Sequence, residues 1–450
     1  MAAEAGNDYI EIVRTFLEHN DLGGLDRYLS DLHASELGRL LAGVSVEEAR
    51  YIFRLLDPES ASEALLEVDE RLRRTLISSI SSAKLIEVVH EMETDDAADI
   101  ISGLPVEEAR QVLEGIEESA AVQKLLVYAD DTAGGKMQAE LVYVNEKATV
   151  QDAIEAVRAR SEEIERISNV FVVDDEKRLL GTVALDKLIL ARPFSKIMDI
   201  ANKDPMKVTT DLDQEEVAKI FQRYDLITLP VVDHENRLVG RITVDDIVDV
   251  LEEEIFEDFY KMAGLNIEEG ALDPALRSIW MRAPWLFVNL GTAFLAASVV
   301  KLFQSTIEQF VVLAVLMPIV AGMGGNAATQ AITVTVRGLA LGELSLKNAR
   351  RILIKEALVG LVNGLTLGAA AAVIAYMLGT NPVVGLLLFM AMTFNLVIAG
   401  LSGSMIPLVL KWFKVDPAIS SSIFVTTCTD IGGFFTFLGL ATIFMRAGLL

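Results

Sequence analysis

The sequence predicts a multidomain chain of α plus α/β type. An N-terminal α-helical superhelical domain is followed by a tandem α/β repeat, an acidic connecting helix and a five-helix transmembrane domain. Three observations predict this. Charge is split along the chain: the 450 residues carry a formal −26, yet from Trp280 onward five acids and ten bases give +5, leaving −31 upstream. Apolar stretches long enough to span a bilayer fall only in the second part. The first part changes midway from helical periodicity to a repeated strand-turn-strand-helix pattern.

A surface as acidic as the first part argues against a nucleic-acid partner and favours cations. The single cysteine, Cys428, rules out an intramolecular disulfide and fits a reducing compartment. Met1-Ala2-Ala3-Glu4 opens with an acid and lacks the basic-then-apolar order of a signal peptide, so the first part is expected in the cytosol.

Residues 1–135 read as short stacked helices, with apolar residues at helical spacing, as in Ala49, Ile52, Phe53 and Leu56. Val46-Glu47-Glu48-Ala49-Arg50 returns as Val106-Glu107-Glu108-Ala109-Arg110, with Ser45 or Pro105 in front to start each helix. Residues 136–195 and 196–254 form the α/β pair. Val172-Val173-Asp174 precedes Arg178-Leu179 and Gly181, and 59 positions later Val231-Val232-Asp233 precedes Arg237-Leu238 and Gly240. Two copies in register, each with an acidic turn between β-branched runs, resemble a tandem pair of CBS domains. That resemblance implies a regulatory module that binds nucleotides or ions.

The connecting segment, 245–275, carries Asp245, Asp246, Asp249, Glu252, Glu253, Glu254, Glu257 and Asp258. Like charges four residues apart repel on a helix, so a cation is expected between them. The membrane domain, 276–450, has apolar stretches near 285–303, 310–336, 358–378, 383–410 and 418–444. Arg277 and Arg282 precede the first. Arg337, Lys347, Arg350, Arg351 and Lys355 separate the second from the third, and Lys411 and Lys414 separate the fourth from the fifth. The positive-inside rule then places the N-terminal domains in the cytosol of a multi-pass protein of the cell (inner) membrane.

An ionisable side chain inside a span is costly and marks function. The clear case is Asp430, within Thr426-Thr427-Cys428-Thr429-Asp430. Two readings stand: a buried carboxylate satisfied by the neighbouring hydroxyls, or one facing an aqueous pore and drawing in a cation. Span two holds Pro318, Gly322, Gly324, Gly325, Asn326 and Gln330, and span four Asn395, Ser402, Gly403, Ser404 and Pro407; such runs sit at membrane depth only beside protein or water. The four histidines lie outside the spans, which disfavours Zn²⁺ or Cu, while carboxylates, hydroxyls and carbonyls suit Mg²⁺ or Ca²⁺. One Asp per chain cannot strip Mg²⁺ of its water. A hydrated ion held by Asp430 from two subunits is the picture these donors support.

At this point the chain resembles the MgtE family of magnesium channels and transporters. The resemblance is carried by the domain order and by Gly324-Gly325-Asn326, Arg337-Gly338-Leu339-Ala340, Asp416-Pro417-Ala418 and Thr427-Cys428-Thr429-Asp430. It implies a homodimer in membrane lipid, with spans two and five lining one pore. Gly325, Asn326, Thr426 and Thr427 would lie along the pore, and Asp430 at its ion site. It also implies closure by cytosolic Mg²⁺, which is both substrate and regulator, bound by acidic clusters. These map onto Glu63, Asp95 and Asp99, onto Glu215, Asp225, Asp246 and Asp249, and onto Glu254, Glu257 and Asp258. There are two departures. The nucleotide signature of a CBS copy, Thr243 with Asp246 in the second, is replaced in the first by Ala184 and Lys187, which puts ATP binding there in doubt; and Ala328 stands where the family often has glycine.

The runner-up reading is a Mg²⁺ carrier coupled to Na⁺ or H⁺, which calls for more intramembrane ionisable groups than Asp430. An enzyme is not expected: no His-Glu-x-x-His, no nucleophile elbow with partners and no second intramembrane Asp stand in the sequence. A nucleotide-sensing adaptor would have no use for Asp430.

Overall fold

The computed structural model describes residues 9–16, 19, 21–116, 119–161, 164, 166–266, 269–271, 273–419 and 421–450, without the side chains of Leu22 and Ser421. Met1 to Glu4, read above for the absence of a signal peptide, lies outside them. The chain divides into two compact units, Met1–Leu251 and Glu252–Leu450.

In the first unit the helical domain contains α1 (Leu22–Ser30), α2 (Ala34–Gly43), α3 (Val46–Leu55), α4 (Pro58–Leu66), α5 (Glu70–Ile77), α6 (Ser82–His90), α7 (Thr94–Ser102), α8 (Val106–Gly115) and α9 (Ser119–Leu125). Their starts are written in the sequence. Ser45 caps α3 and Glu48 reaches back to it in a capping box, while Asp57, Asp69 and Ser81 cap α4, α5 and α6. Each helix buries one apolar stripe, and Phe53, Ile52, Leu65 and Leu76 lie at the centre of the core.

Both α/β copies fold alike. β1 (Tyr143–Asn145) lies parallel to β2 (Asn169–Val173), which pairs antiparallel with β3 (Leu179–Ala184); α10 (Val150–Arg160) and α11 (Leu185–Leu190) complete the copy, and α12 (Ile197–Ile200) follows it. The second repeats the order with β4 (Val208–Thr209), α13 (Gln214–Tyr224), β5 (Thr228–Val232) and β6 (Leu238–Thr243). Val172 pairs with Gly181 and Val231 with Gly240, so the repeat seen in the sequence is a repeat of register. The acidic helix is α14 (Val244–Ala263), and the division between the units falls within it.

The second unit holds five helices long and apolar enough to cross a membrane: α15 (Ala275–Leu302), then, after the short α16 (Gln304–Gln309), α17 (Val312–Ala340), α18 (Ala349–Met377), α19 (Pro382–Trp412) and α20 (Ser421–Arg446). Span one differs from the expectation of a start beyond Pro284: the proline lies inside α15, as membrane helices tolerate where local adjustment, neighbouring helices or hydroxyl side chains take up the freed backbone carbonyl. Span three starts nine residues before the expected 358, bringing Glu356 into the helix. Spans three and four meet through glycines one turn apart. A methyl group on Gly364 would stand 2.7 Å from the Thr393 Cα, one on Gly368 2.9 Å from the Phe389 carbonyl, and Gly360 lies against the Leu396 carbonyl. Small residues spaced by four let the two backbones touch, and dispersion between them replaces the hydrophobic driving force that lipid removes.

Candidate functional site

In the first unit, carboxylates converge where α7 meets the second α/β copy. Asp246 follows β6 and accepts from the Thr243 hydroxyl (2.8 Å) and amide (3.3 Å), so the Thr-x-x-Asp pair of that copy closes as a helix-starting turn. Gln138 donates through Nε2 to both Glu93 (2.7 Å) and Asp246 (3.3 Å). Thr94 donates its amide and hydroxyl to Glu140, at 3.1 and 2.9 Å. Arg241 stands 3.9 Å from Glu93, and the Arg73 charge also bears on Asp96.

This crowding leaves its mark on acidity. Burial, then the Glu140 charge, pushes Glu93 up to about 7. Burial and Asp246 push Asp96 up to about 7. Asp95, buried beside Asp96 and Asp246, is raised well above the carboxylate range. Burial raises Asp246 to about 6 despite its hydrogen bonds from Thr243. The Asp95 Oδ1 and Gln138 Oε1 oxygens are buried without a hydrogen-bond partner among the described residues. Uncompensated acceptors of this type, among acids that repel one another, fit a hard divalent cation.

Of the sequence candidates, Asp95 and Asp246 are in this cluster, Asp249 adds its charge to Asp96 and Asp246, and Asp99 adds its charge to Asp96. Glu63 is exposed on α4, Glu215 pairs with Lys219 at 2.9 Å on α13, and Asp225 ends α13 in the left-handed conformation at φ 50°. Glu93, Asp96, Glu140 and Gln138 were not singled out from the sequence. They come together only through tertiary packing, and no spacing signals them.

On the connecting helix, Glu254, Glu257 and Asp258 are all partly buried. Lys261 pairs with Glu257 one turn back and with Asp416, 2.7 Å away on the loop before span five. The Ser422 hydroxyl donates to the Met262 carbonyl at 2.6 Å. The C-terminal end of α14 is thus fastened to the start of the helix that carries Asp430.

In the membrane unit Asp430 is partly exposed on α20. Two of the nearby hydroxyls are engaged elsewhere: Thr427 donates to the Ile423 carbonyl at 2.7 Å and Thr429 to the Thr426 carbonyl at 2.9 Å. Among the described residues no side-chain donor reaches Asp430, so the reading of a carboxylate satisfied by its threonines has no support. Thr426 and Asn326 are exposed, Gly325 and Thr427 partly so. Asn395, wholly buried on span four, donates to the Val320 carbonyl of span two at 2.8 Å. It fits against Gly324 and Gly433, where a methyl on Gly433 would stand 2.7 Å from its Nδ2. One amide thus joins spans two, four and five. Glu356 is a second acid within a membrane helix, buried and paired with Lys355 at 2.9 Å. Among the described residues no three His, Cys, Asp or Glu side chains within the chain form a chelating group.

Five long apolar helices behind an acidic two-part soluble region define a multi-pass membrane protein of the transporter class, and a family model described as a divalent cation transporter matches residues 317–440. An intracellular N-domain model matches 32–131, and CBS domain models match 133–193 and 197–253. The chain is 34% identical over 441 residues to the magnesium transporter MgtE of Thermus thermophilus, covering 96% of this chain and 97% of that protein. It is 31% identical over 401 residues to MgtE of Bacillus subtilis, covering 89% of each. Among solved structures, the cytosolic domain of the Mg²⁺ channel MgtE in complex with ATP superposes with a TM-score of 0.51 at 33% identity, over 53% of this chain and 98% of that one. The soluble part of a magnesium transporter gives 0.50 at 27% identity, over 55% and 99%. The chain belongs to the MgtE family.

Proposed function

We propose that the protein is a Mg²⁺-selective channel of the cell membrane, closed by cytosolic Mg²⁺ bound at its acidic clusters. The observation that carries this reading is Asp430: a carboxylate at membrane depth, partly exposed and without a side-chain donor among the described residues, is an electrostatic well for a cation. One such group per chain attracts a hydrated ion without dehydrating it, as rapid passage requires. A homodimer would set two of them across one pore, with spans two and five as its walls. The N-terminal domains lie in the cytosol on this reading, from the distribution of lysine and arginine between the spans.

Closure follows from the cluster around Asp95 and Asp246. Without a divalent ion its carboxylates repel, and the packed form gives way to a separated one. With Mg²⁺ bridging them, the packed form gains binding energy that the separated form lacks. Mg²⁺ here is cargo and regulator. Any nucleotide bound by the CBS pair falls to the second copy, where Thr243 and Asp246 are in place.

Coupled carriage with Na⁺ or H⁺ is the alternative, and Glu356 is the kind of second acid it needs; Lys355 already neutralises that acid. The test is current through reconstituted protein in excised patches while Mg²⁺ is titrated on the cytosolic face. Current that closes as Mg²⁺ rises supports the proposal. Persistent current indifferent to Mg²⁺ removes the sensor from it, and silence with continuing vesicle uptake replaces the channel by a carrier.

A further inference from the structure

Acids outnumber bases 65 to 39 in this chain, yet one cavity of about 1090 Å³ in the cytosolic unit has a basic rim. One wall is α9, with Lys124. The other is formed by the two hairpin turns, β2 to β3 with Lys177 and β5 to β6 with Arg237. The turns are pinned together, since the Leu179 amide donates to the Asn236 carbonyl at 3.0 Å and the Leu238 amide to the Lys177 carbonyl at 2.9 Å.

The acids at this rim are already engaged. Glu176 pairs with Arg178 at 3.0 Å, and Asp233 accepts the amides of Glu235 and Arg237 at 3.0 and 2.7 Å. Among the described residues Lys124, Lys177 and Arg237 have no carboxylate partner. Lys177 is also held in the left-handed conformation, φ 62°, where the second copy has Asn236 at φ 63°. Asparagine takes that conformation readily and lysine does not. The lysine's ammonium stands 5.3 Å from the centre of the Tyr143 ring, a second lining residue. The floor is apolar: Leu125, Leu141, Val173 and Leu238 are core side chains that end at the cavity.

We propose that this cavity binds an organic polyanion of nucleotide size, its charge met by Lys124, Lys177 and Arg237 and its ring by Tyr143 and the apolar floor. The volume suits such a ligand, and unpaired cations above an apolar floor recognise charge and ring together. The site is distinct from the Thr243–Asp246 end of the CBS pair. It lies at the turn end of the strands, and β6 alone separates the two ends by roughly 16 Å. Because α9 belongs to the helical domain, the ligand ties that domain to the CBS pair.

The test is amide hydrogen exchange of the full-length protein in Mg²⁺-free detergent solution, with millimolar ATP as probe and tripolyphosphate as a probe of charge alone. ATP is expected to slow exchange at 119–128, 174–178 and 233–237, and tripolyphosphate to do so more weakly. Lys177→Glu with Arg237→Glu should abolish that protection. Lys124→Glu, an exposed change on a different element, should lower the affinity about tenfold. Protection confined to 226–246, none with either probe, or protection indifferent to all three substitutions overturns the proposal. Equal protection by tripolyphosphate removes the ring from it.

Discussion

Two regions of this molecule hold carboxylates without a matching base beside them, and they do so in opposite ways. Around α7 and Asp246 several acids are crowded together, raised in pKa by burial and by one another, and threaded with hydrogen bonds from Gln138, Thr94 and Thr243. On span five a single Asp430 stands partly exposed, with its neighbouring hydroxyls turned to the backbone. A crowd of acids stores repulsion that a cation can release, which suits a sensor; a solitary acid holds a hydrated ion weakly enough to let it leave. On the proposed reading the same residue type serves detection in one place and passage in the other, and the difference is the number of like charges.

The sharpest way to break this comparison is Asp430→Asn, which should cut Mg²⁺ flux into proteoliposomes by about a hundredfold while leaving cytosolic Mg²⁺ binding intact. Retained flux would show that the passage does not depend on the solitary acid. Asp95→Asn with Asp246→Asn should do the converse: maximal current unchanged, and half-closing Mg²⁺ raised about tenfold or more in patch recordings.

A third experiment uses protons in place of Mg²⁺. Glu93, Asp96 and Asp246 titrate near 7, 7 and 6 when packed, above their ordinary values, so the packed form holds protons that the separated form releases. Packing is therefore favoured as pH falls through this range and opposed as it rises. Mg²⁺-free current should be smaller at a cytosolic pH of about 6 than at about 8. Glu93→Gln with Asp96→Asn should flatten the dependence.

The smallest effect is expected at Lys261, which holds Glu257 and Asp416 together with roughly a third of each side chain still exposed. Lys261→Gln should shift half-closing Mg²⁺ by about two- to fivefold, and Lys261→Arg should restore it. An unchanged titration would mean that the connecting helix is held by Ser422 and packing alone.

Much of this architecture was legible in the sequence because local rules carried it. The paired Val-Val-Asp runs became the ends of β2 and β5 in matching register, and the acidic run from Asp245 became one helix. The spans were legible because bilayer thickness fixes their length. Asp430 was legible because any charge in a span is conspicuous. Glu93, Asp96 and Glu140 were not, since acids are common in this region and only packing distinguishes buried from solvated ones. Glu356 was missed because α18 begins nine residues earlier than the apolar run, where three bases had suggested a loop. Asn395 was marked as polar, but its partners, Val320 and the glycines of two other helices, depend on crossing geometry that composition does not encode.

The face of Gly360, Gly364 and Gly368 has a mechanical consequence. With backbone lying on backbone and no side chain between to yield, spans three and four form a single stiff plank, because sliding one past the other would drive carbonyls into α-carbons. Any rearrangement that admits an ion must then be taken up by the other spans, which turn against this plank. Tyr376 and Leu386, exposed near its far end, are natural fiducials: probes there should keep a constant separation through any such rearrangement.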